Sequence, residues 1–200
     1  MIVNSSSHEV GRRGVTLLLL ATVVGCVPLT RRSAVLLDLP DEYSARLPIL
    51  QGWSYFELTG KISITRAEER LMAKLRWSQR DARSRVQLDG PLGVGGSELE
   101  WVAGEDPPVF AALERQLGVA LPAASLRYWL LGVPDPTVLA DTFELAGERL
   151  VRLQQAGWAL HYRRYAPVAG AGFDLPARID LERAGLSLRL VIDSWGGFRP

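Results

Sequence analysis

Apolar and polar residues alternate one by one along several stretches of this 200-residue chain, and this pattern limits the fold more than any other feature. The first stretch puts five residues on one face, with polar residues between most of them: Phe56, Leu58, Gly60, Ile62 and Ile64. The same alternation includes Leu75 and Trp77, then Val86 and Leu88, then Leu99 and Trp101. Neighbouring side chains of a strand point to opposite faces, so this period predicts strands with one buried face and one hydrated face.

Two short turns, Ala156-Gly157 and Ala184-Gly185, join later alternating stretches into hairpins. The strands predicted on either side of these turns cover 150–153, 158–162, 177–181 and 186–192. Short strands joined by turns and interrupted once by helical segments favour an antiparallel sheet that curls into a barrel around or beside those helices. The predicted fold class is therefore mainly β with α.

Helical signals are few. Pro40-Asp41-Glu42 can open a short helix with acidic residues in its first turn, and Pro48 is expected to end it early. A second helix is predicted from the spacing of Phe110, Leu113 and Leu117. In a third, Ser125 is expected to be the N-cap, and Gly132 and Pro134 close the segment.

The N-terminus has the pattern of a lipoprotein leader. Arg12-Arg13 precedes an uncharged stretch, 15–25, which as a helix rises only about 16 Å and is too short to span a bilayer. The stretch ends in Val23-Val24-Gly25-Cys26, which matches the bacterial lipobox. We expect Cys26 to carry a diacylglyceryl group and an N-acyl chain, and Val27 favours the outer membrane. The alternative is a buried cysteine that follows an apolar run.

The composition limits the classes of function that this chain can have. The chain is 48% hydrophobic and 22% charged, which is typical of a globular domain. Removing a 25-residue leader takes two of 23 basic and one of 22 acidic residues, so the mature chain is neutral, which argues against nucleic-acid binding. The single cysteine excludes an intramolecular disulfide and a cysteine-cluster metal site. One histidine remains after processing, so a histidine-rich metal site is excluded as well.

The sequence offers little catalytic machinery. His161 lies on the polar face of its predicted hairpin, where a solvated surface histidine is the simplest interpretation. No Gly-x-Ser-x-Gly motif occurs, and the glycine-rich segment 90–97 has no lysine and opens no helix, so it does not resemble a phosphate-binding loop. Carboxylates are scattered singly among arginines. We predict that the protein is not an enzyme. A hydrolase that uses a pair of carboxylates is the remaining alternative.

The unusual feature of this sequence is its number of large apolar side chains. The chain has six tryptophans, and most of them fall on the apolar faces. They either fill a core or line a half-open barrel that leaves a cavity for a hydrophobic ligand. Leu92 lies in a turn of glycine and proline, where it is either exposed for a purpose or folded back onto the core.

These residues together resemble the LolB family of outer-membrane lipoprotein receptors, from about Trp53 to Trp195. The landmarks are Leu58-Thr59-Gly60-Lys61-Ile62, Leu75-Arg76-Trp77, Gly90-Pro91-Leu92-Gly93, Leu121-Pro122, the segment 125–132, Gln155-Ala156-Gly157-Trp158, Leu175-Pro176 and Ile192-Asp193-Ser194-Trp195. Their order and spacing behind a lipobox carry the resemblance.

The resemblance implies an incomplete antiparallel β-barrel, or half-barrel, whose apolar cavity holds acyl chains and is covered by short helices. The residues expected to line the cavity are Phe56, Leu58, Ile62, Leu75, Trp77, Leu88, Leu99, Trp101, Leu126, Trp129 and Leu130. A protruding loop, Pro91, Leu92 and Gly93, is expected to insert into the membrane. The sequence departs from the family pattern in two places. The stretch between Trp101 and Leu121 is short, and Pro48 interrupts the region where an N-terminal helix is expected.

The implied function is to accept lipoproteins from the periplasmic carrier LolA and insert them into the outer membrane. We expect a lipid-anchored monomer that faces the periplasm, contacts outer-membrane phospholipid, and has no cofactor besides the lipid on Cys26. The alternatives are a structural or assembly lipoprotein without a cavity, and a lipid hydrolase that uses His161 or a carboxylate pair. The expected organisation is a signal peptide (1–25), a lipidated tether with a short N-terminal segment (26–50), and one half-barrel domain (51–200).

Overall fold

The computed structural model of the protein describes residues 39–90, 97–105, 115 and 121–199. Its strands are β1 (Tyr55–Arg66), β2 (Glu69–Arg80), β3 (Arg83–Asp89), β4 (Ser97–Val102), β5 (Ala140–Ala146), β6 (Arg149–Gln155), β7 (Trp158–Pro167), β8 (Asp174–Arg183) and β9 (Leu186–Arg199). Two helices are described in full, α1 (Asp41–Gly52) and α2 (Ala123–Leu130).

The nine described strands form one antiparallel sheet in the order β4-β3-β2-β1-β9-β8-β7-β6-β5. Strands β4 and β5 are its two edges and do not pair with each other, so the sheet does not close into a barrel. The mainly β half-barrel predicted from the sequence is therefore confirmed.

One end of the sheet, which we call the turn end, carries three tight turns. The strand registers place Arg66 opposite Glu69, Gln155 opposite Trp158, and Arg183 opposite Leu186, so all three turns lie at the same end. The β3–β4 connection leaves the sheet in the same direction, after Leu88 pairs with Ser97. The turn end is therefore the place from which the predicted Pro91-Leu92-Gly93 loop departs, although that loop itself lies outside the described residues.

The two hairpin turns identified in the sequence have the backbone that short β-hairpins need. The φ angles of Ala156 and Gly157 are 53° and 75°, and those of Ala184 and Gly185 are 47° and 78°. Positive φ at both central residues matches the right-handed twist of the flanking strands, and glycine adopts it without a steric penalty.

Gly60 marks an irregularity between β1 and β9. The register of the two strands shifts between Thr59 and Gly60, and a Cβ atom at position 60 would collide with the carbonyl oxygen of Val191. A bulge of this kind increases the local twist of a sheet. Gly60 therefore permits the close approach of two central strands that bend the sheet around its core.

The expectation that Pro48 ends the first helix is wrong, because α1 continues through Pro48 to Gly52. An internal proline removes one helical hydrogen bond, but tertiary contacts compensate on both sides of it. Tyr43 and Leu50 are completely buried and Arg46 is 2% exposed. Packing on the sheet therefore holds α1 together where its own sequence favours an earlier end.

The predicted capping of the later helix is also wrong. Helix α2 begins at Ala123, two residues before Ser125, and its N-cap Pro122 has no side-chain cap. The Ser125 hydroxyl instead donates a hydrogen bond to Oδ2 of Asp135 at 2.7 Å. Gly132 follows the helix with φ of 76°, which agrees with the predicted stop. The helix predicted at Phe110–Leu117 lies almost entirely outside the described residues.

The convex face of the sheet is charged, and its concave face is apolar. Ion pairs such as Arg85 with Glu100 and Arg152 with Glu144 join neighbouring strands on the outside. Among the described residues, no helix is long and apolar enough to cross a bilayer.

Candidate functional site: an apolar cavity

The concave face of the sheet contains a cavity of about 130 Å³ beneath helix α2. It is lined by sixteen apolar side chains: Ile62, Ile64, Leu75, Trp77, Val86, Leu88, Leu99, Trp101, Leu121, Leu126, Trp129, Leu130, Ile179, Leu181, Leu188 and Leu190. An engineered apolar cavity of about 150 Å³ stays dry and binds benzene. The space here is therefore suited to a hydrocarbon ligand and offers water no polar partner.

Nine of the eleven side chains predicted to line the cavity do so: Ile62, Leu75, Trp77, Leu88, Leu99, Trp101, Leu126, Trp129 and Leu130. Phe56 and Leu58 do not, although they lie on the same face of β1. The Phe56 ring packs 5.8 Å from Trp195, and both predicted residues are at most 2% exposed. These two side chains pack instead in the part of the concave face where aromatic residues at the end of β9 lie.

Seven lining residues were missed: Ile64, Val86, Leu121, Ile179, Leu181, Leu188 and Leu190. Six of them continue the alternation already visible in β1, β3, β8 and β9, so the pattern marked their face correctly. Only the curvature of the sheet brings β8 and β9 around to face β2 and β3. Leu121 precedes α2 and carries no periodic signal.

Two tryptophans form an edge-to-face pair in the cavity wall. The rings of Trp77 and Trp101 are 5.2 Å apart at 88°. A buried polar group fixes this corner, because Ser84 donates to Oε1 of Gln79 at 2.7 Å and Nε2 of Gln79 donates to the Asp81 carbonyl at 2.7 Å. The pair closes the cavity on the side of β2, β3 and β4.

Helix α2 is held over the cavity by a second buried network. Trp129 Nε1 donates to Oε1 of Gln155, and that oxygen also accepts from the backbone N–H of Asp135. Nε2 of Gln155 donates to the carbonyls of Asp135 and Val138. Because these buried groups are satisfied by one another, the wall formed by Trp129 has a defined position.

The remaining part of the concave face is filled by helix α1. Nη2 of Arg46 donates to the Asp174 carbonyl, and its guanidinium lies 5.4 Å from the ring centre of Phe173. Tyr43 packs edge-on against Phe143 at 5.3 Å. Burial raises the pKa of Tyr43 far above its usual range, so its phenol stays neutral. Helix α1 therefore covers a part of the concave face that does not line the cavity.

The polar candidates face away from the cavity. His161 is half-buried on the outer face of β7, opposite Asp180 in the strand register, whereas Leu160 and Tyr162 point to the core. Among the residues that the structure describes, no group of histidine, cysteine and carboxylate side chains could hold a metal ion.

Asp180 is the centre of a surface cluster of arginines. It accepts hydrogen bonds from Arg163 and Arg189, each at 3.0 Å, and Arg178 lies 3.6 Å away. Burial alone would raise the pKa of Asp180, but these hydrogen bonds and charges outweigh it and hold the pKa below its usual value. The cluster ties β7, β8 and β9 together on the convex face.

Comparison with known proteins identifies the family of this chain. A family profile described as "Outer membrane lipoprotein LolB" matches residues 54–195. A protein of Nitrosococcus oceani named "Outer-membrane lipoprotein LolB" is 34% identical over 198 residues, which cover 92% of this chain and 96% of the relative. The chain belongs to the LolB family. A second LolB, from Stutzerimonas stutzeri, is 35% identical over 77% of this chain and 78% of its own length.

The family consists of outer-membrane lipoproteins, and this supports the outer-membrane location predicted for this LolB-family chain. Among solved structures, a putative outer membrane lipoprotein-sorting protein domain from Vibrio parahaemolyticus shares 10% identity at a TM-score of 0.44, over 78% of this chain and 91% of that one. The predicted sites at Cys26 and at Pro91, Leu92 and Gly93 lie outside the described residues.

Proposed function

We propose that this LolB-family protein accepts lipoproteins from a LolA-like periplasmic carrier, holds their acyl chains in the cavity under α2, and inserts them into the outer membrane. The single observation that carries the proposal is the cavity, whose sixteen lining side chains are all apolar. The family membership supports it independently.

The need for such a cavity follows from the cargo. A triacylated lipoprotein has some tens of CH₂ groups, and exposing each to water costs about 0.8 kcal/mol. A receptor without a nucleotide site can still drive transfer if two conditions hold. The cargo must bind the receptor more tightly than it binds the carrier, and it must bind the bilayer more tightly than it binds the receptor. The lining then needs apolar area and no catalytic group.

The size of the cavity indicates how the cargo enters. About 130 Å³ is enough for a short hydrocarbon segment, whereas complete acyl chains require more space. Leu126 lines the cavity from α2 and is only partly buried. Rotation of partly buried lining side chains such as Leu126 would enlarge the cavity without breaking the hydrogen-bond ladder of the sheet or the Trp129–Gln155 bond that holds α2.

Delivery is assigned to the β3–β4 loop and attachment to Cys26. Leu88 and Leu99 line the cavity on the two strands that this loop connects. In the proposed exit step, Leu92 inserts into the leaflet and opens a path from these residues to the membrane. Three acyl chains on Cys26 would exceed the two signals that stable anchoring requires, and would keep the protein on the periplasmic face.

The deciding experiment mixes purified carrier loaded with a lipoprotein and the mature receptor in the absence of ATP. We expect the lipoprotein to move to the receptor, and then to vesicles when they are added. Retention of the lipoprotein on the carrier would overturn the proposal.

Two rival functions predict other outcomes. A scaffold lipoprotein would take up no fluorescent fatty acid in soluble form. A lipid hydrolase acting through His161 would lose function in His161→Ala, whereas we expect this variant to be fully active because its side chain lies outside the cavity.

A further inference from the structure

Exposed apolar side chains gather at the turn end of the sheet. Among the described residues, five large hydrophobic side chains are exposed: Ile49, Leu71, Met72, Val138 and Leu139. Leu71 and Met72 lie within three residues of the β1–β2 turn, and Ala140, next to Leu139, pairs with Gln155 at the β6–β7 turn. Four of the five therefore belong to one end, and only Ile49 lies on helix α1.

Leu139 is the most exposed of these residues, with 66% of its surface accessible. It precedes edge strand β5, whereas the β3–β4 loop leaves the sheet beside the other edge strand, β4. A planar surface that touches the turn end can therefore contact both edges of the open sheet at once.

The loop that presents Leu139 is firmly held. Oδ1 of Asp135 accepts from the backbone N–H and the hydroxyl of Thr137, at 2.8 Å and 2.7 Å. Gln155 donates to the Val138 carbonyl at 2.6 Å, and Asp135 is 2% exposed. This buried network fixes the backbone before Leu139, and the pairing of Ala140 with Gln155 fixes it after this exposed apolar residue. Contiguous exposed apolar surface marks an interaction site, whereas single exposed apolar residues do not, and Val138 and Leu139 are adjacent.

The chain outside the described part indicates what covers this patch. Cys26 is separated from Leu39, the first described residue, by a segment that spans at most about 45 Å when extended. Strand β1 is about 40 Å long, so the extended tether is about as long as the domain. The tether therefore allows the turn end to reach the leaflet in which Cys26 is anchored.

We infer that Leu139 and Val138 form a second membrane contact, which enters the leaflet at the edge of the sheet opposite the β3–β4 loop. This inference rests on the proposed lipid anchor. The occupant of the patch is the phospholipid leaflet in which Cys26 is anchored. With one contact at each edge of the sheet, the β3–β4 loop at one and Leu139 at the other, the turn end lies against the bilayer surface. The cavity then faces the acyl chains of the lipids.

The test uses the mature lipidated chain in vesicles of phosphatidylethanolamine and phosphatidylglycerol. Because the Cys26 thiol is acylated, Leu139→Cys introduces the single free thiol of the chain, which is labelled with nitrobenzoxadiazole. The matched control is Ile49→Cys, an exposed apolar position on α1 with 48% of its surface accessible. Depth is read from quenching by doxyl-labelled lipids, and thermal unfolding checks that both variants are folded.

We expect blue-shifted emission and several-fold stronger quenching at position 139 than at position 49. Equal quenching at the two positions, or none at position 139, would overturn the second contact. A chain that takes up two labels would reveal a free Cys26 and a failure of the proposed anchor. That outcome would overturn the inference together with the anchor on which it rests, whereas equal quenching in a singly labelled chain would overturn the second contact alone.

Discussion

Trp129 Nε1 donates a hydrogen bond to Oε1 of Gln155 at 2.7 Å, and neither side chain is more than 1% exposed. This bond joins helix α2 to strand β6, although 26 residues separate the two partners along the chain. Gln155 also bonds to the backbone of Asp135 and Val138. One amide therefore positions both the cavity wall and the loop that presents Leu139.

We expect Gln155→Leu to destabilise the protein by about 3 kcal/mol, because it leaves several buried donors and acceptors without partners, each at about 1–3 kcal/mol. Urea unfolding followed by tryptophan fluorescence measures the change. The control is Gln154→Leu at the neighbouring exposed position, which should change the free energy of unfolding by less than about 0.5 kcal/mol. Similar losses in both variants would contradict the role of the network.

Filling the cavity should reduce ligand binding. Ile62→Trp places a bulky side chain in the cavity, and we expect about tenfold weaker binding of a fluorescent fatty acid, or about 1.4 kcal/mol. Lys61→Trp adds the same group to the outer face of β1, where the side chain is exposed, and should leave affinity unchanged. The measurement uses soluble protein that begins after Cys26, and equal affinities for the two variants would mean that the ligand binds elsewhere.

Leu92→Glu should preserve folding and fatty-acid binding but abolish delivery of lipoprotein to vesicles, because a charged side chain at this position opposes entry into the leaflet. Leu92→Met keeps the apolar character and should deliver normally. Incorporation of a labelled lipoprotein into vesicles is the readout. Normal delivery by the glutamate variant would remove the proposed role of this loop.

The arginine cluster at Asp180 predicts a pH-dependent contribution to stability. The pKa of Asp180 in the folded protein lies below its value of about 3.9 in the unfolded chain. The ionised form therefore stabilises the fold above about pH 5, and this contribution is lost as the pH falls through the pKa of the folded state.

Asp180→Asn should accordingly lower the free energy of unfolding by about 1–2 kcal/mol at pH 7, since the arginine partners are about half exposed. The difference from the parent protein should shrink below about pH 4. Glu182→Gln, at an exposed position of the same strand, is the control and should have little effect. A difference that stays constant with pH would show that charge is not the cause.

The sequence predicts strands better than helices in this protein. In β1 the alternation from Phe56 to Ile64 marks the inner face because side-chain direction in a strand depends on the local backbone alone. Helix α1 does not follow its local signal, since contacts of Tyr43, Arg46 and Leu50 with the sheet outweigh the effect of Pro48. Strand β5 has weak alternation and was not predicted, and it is held by pairing with β6.

The amino-acid sequence by itself determined which face of each strand is apolar, where the two glycine-containing hairpins turn, and that Cys26 lies in a lipobox. Only the tertiary structure decided that Ile62 faces empty space whereas Phe56 packs on Trp195, four residues from the end of β9. The two positions are equivalent in the local pattern. They differ because the partner of an inward side chain comes from elements far away in the chain, and those elements fill one half of the concave face and leave the other half open.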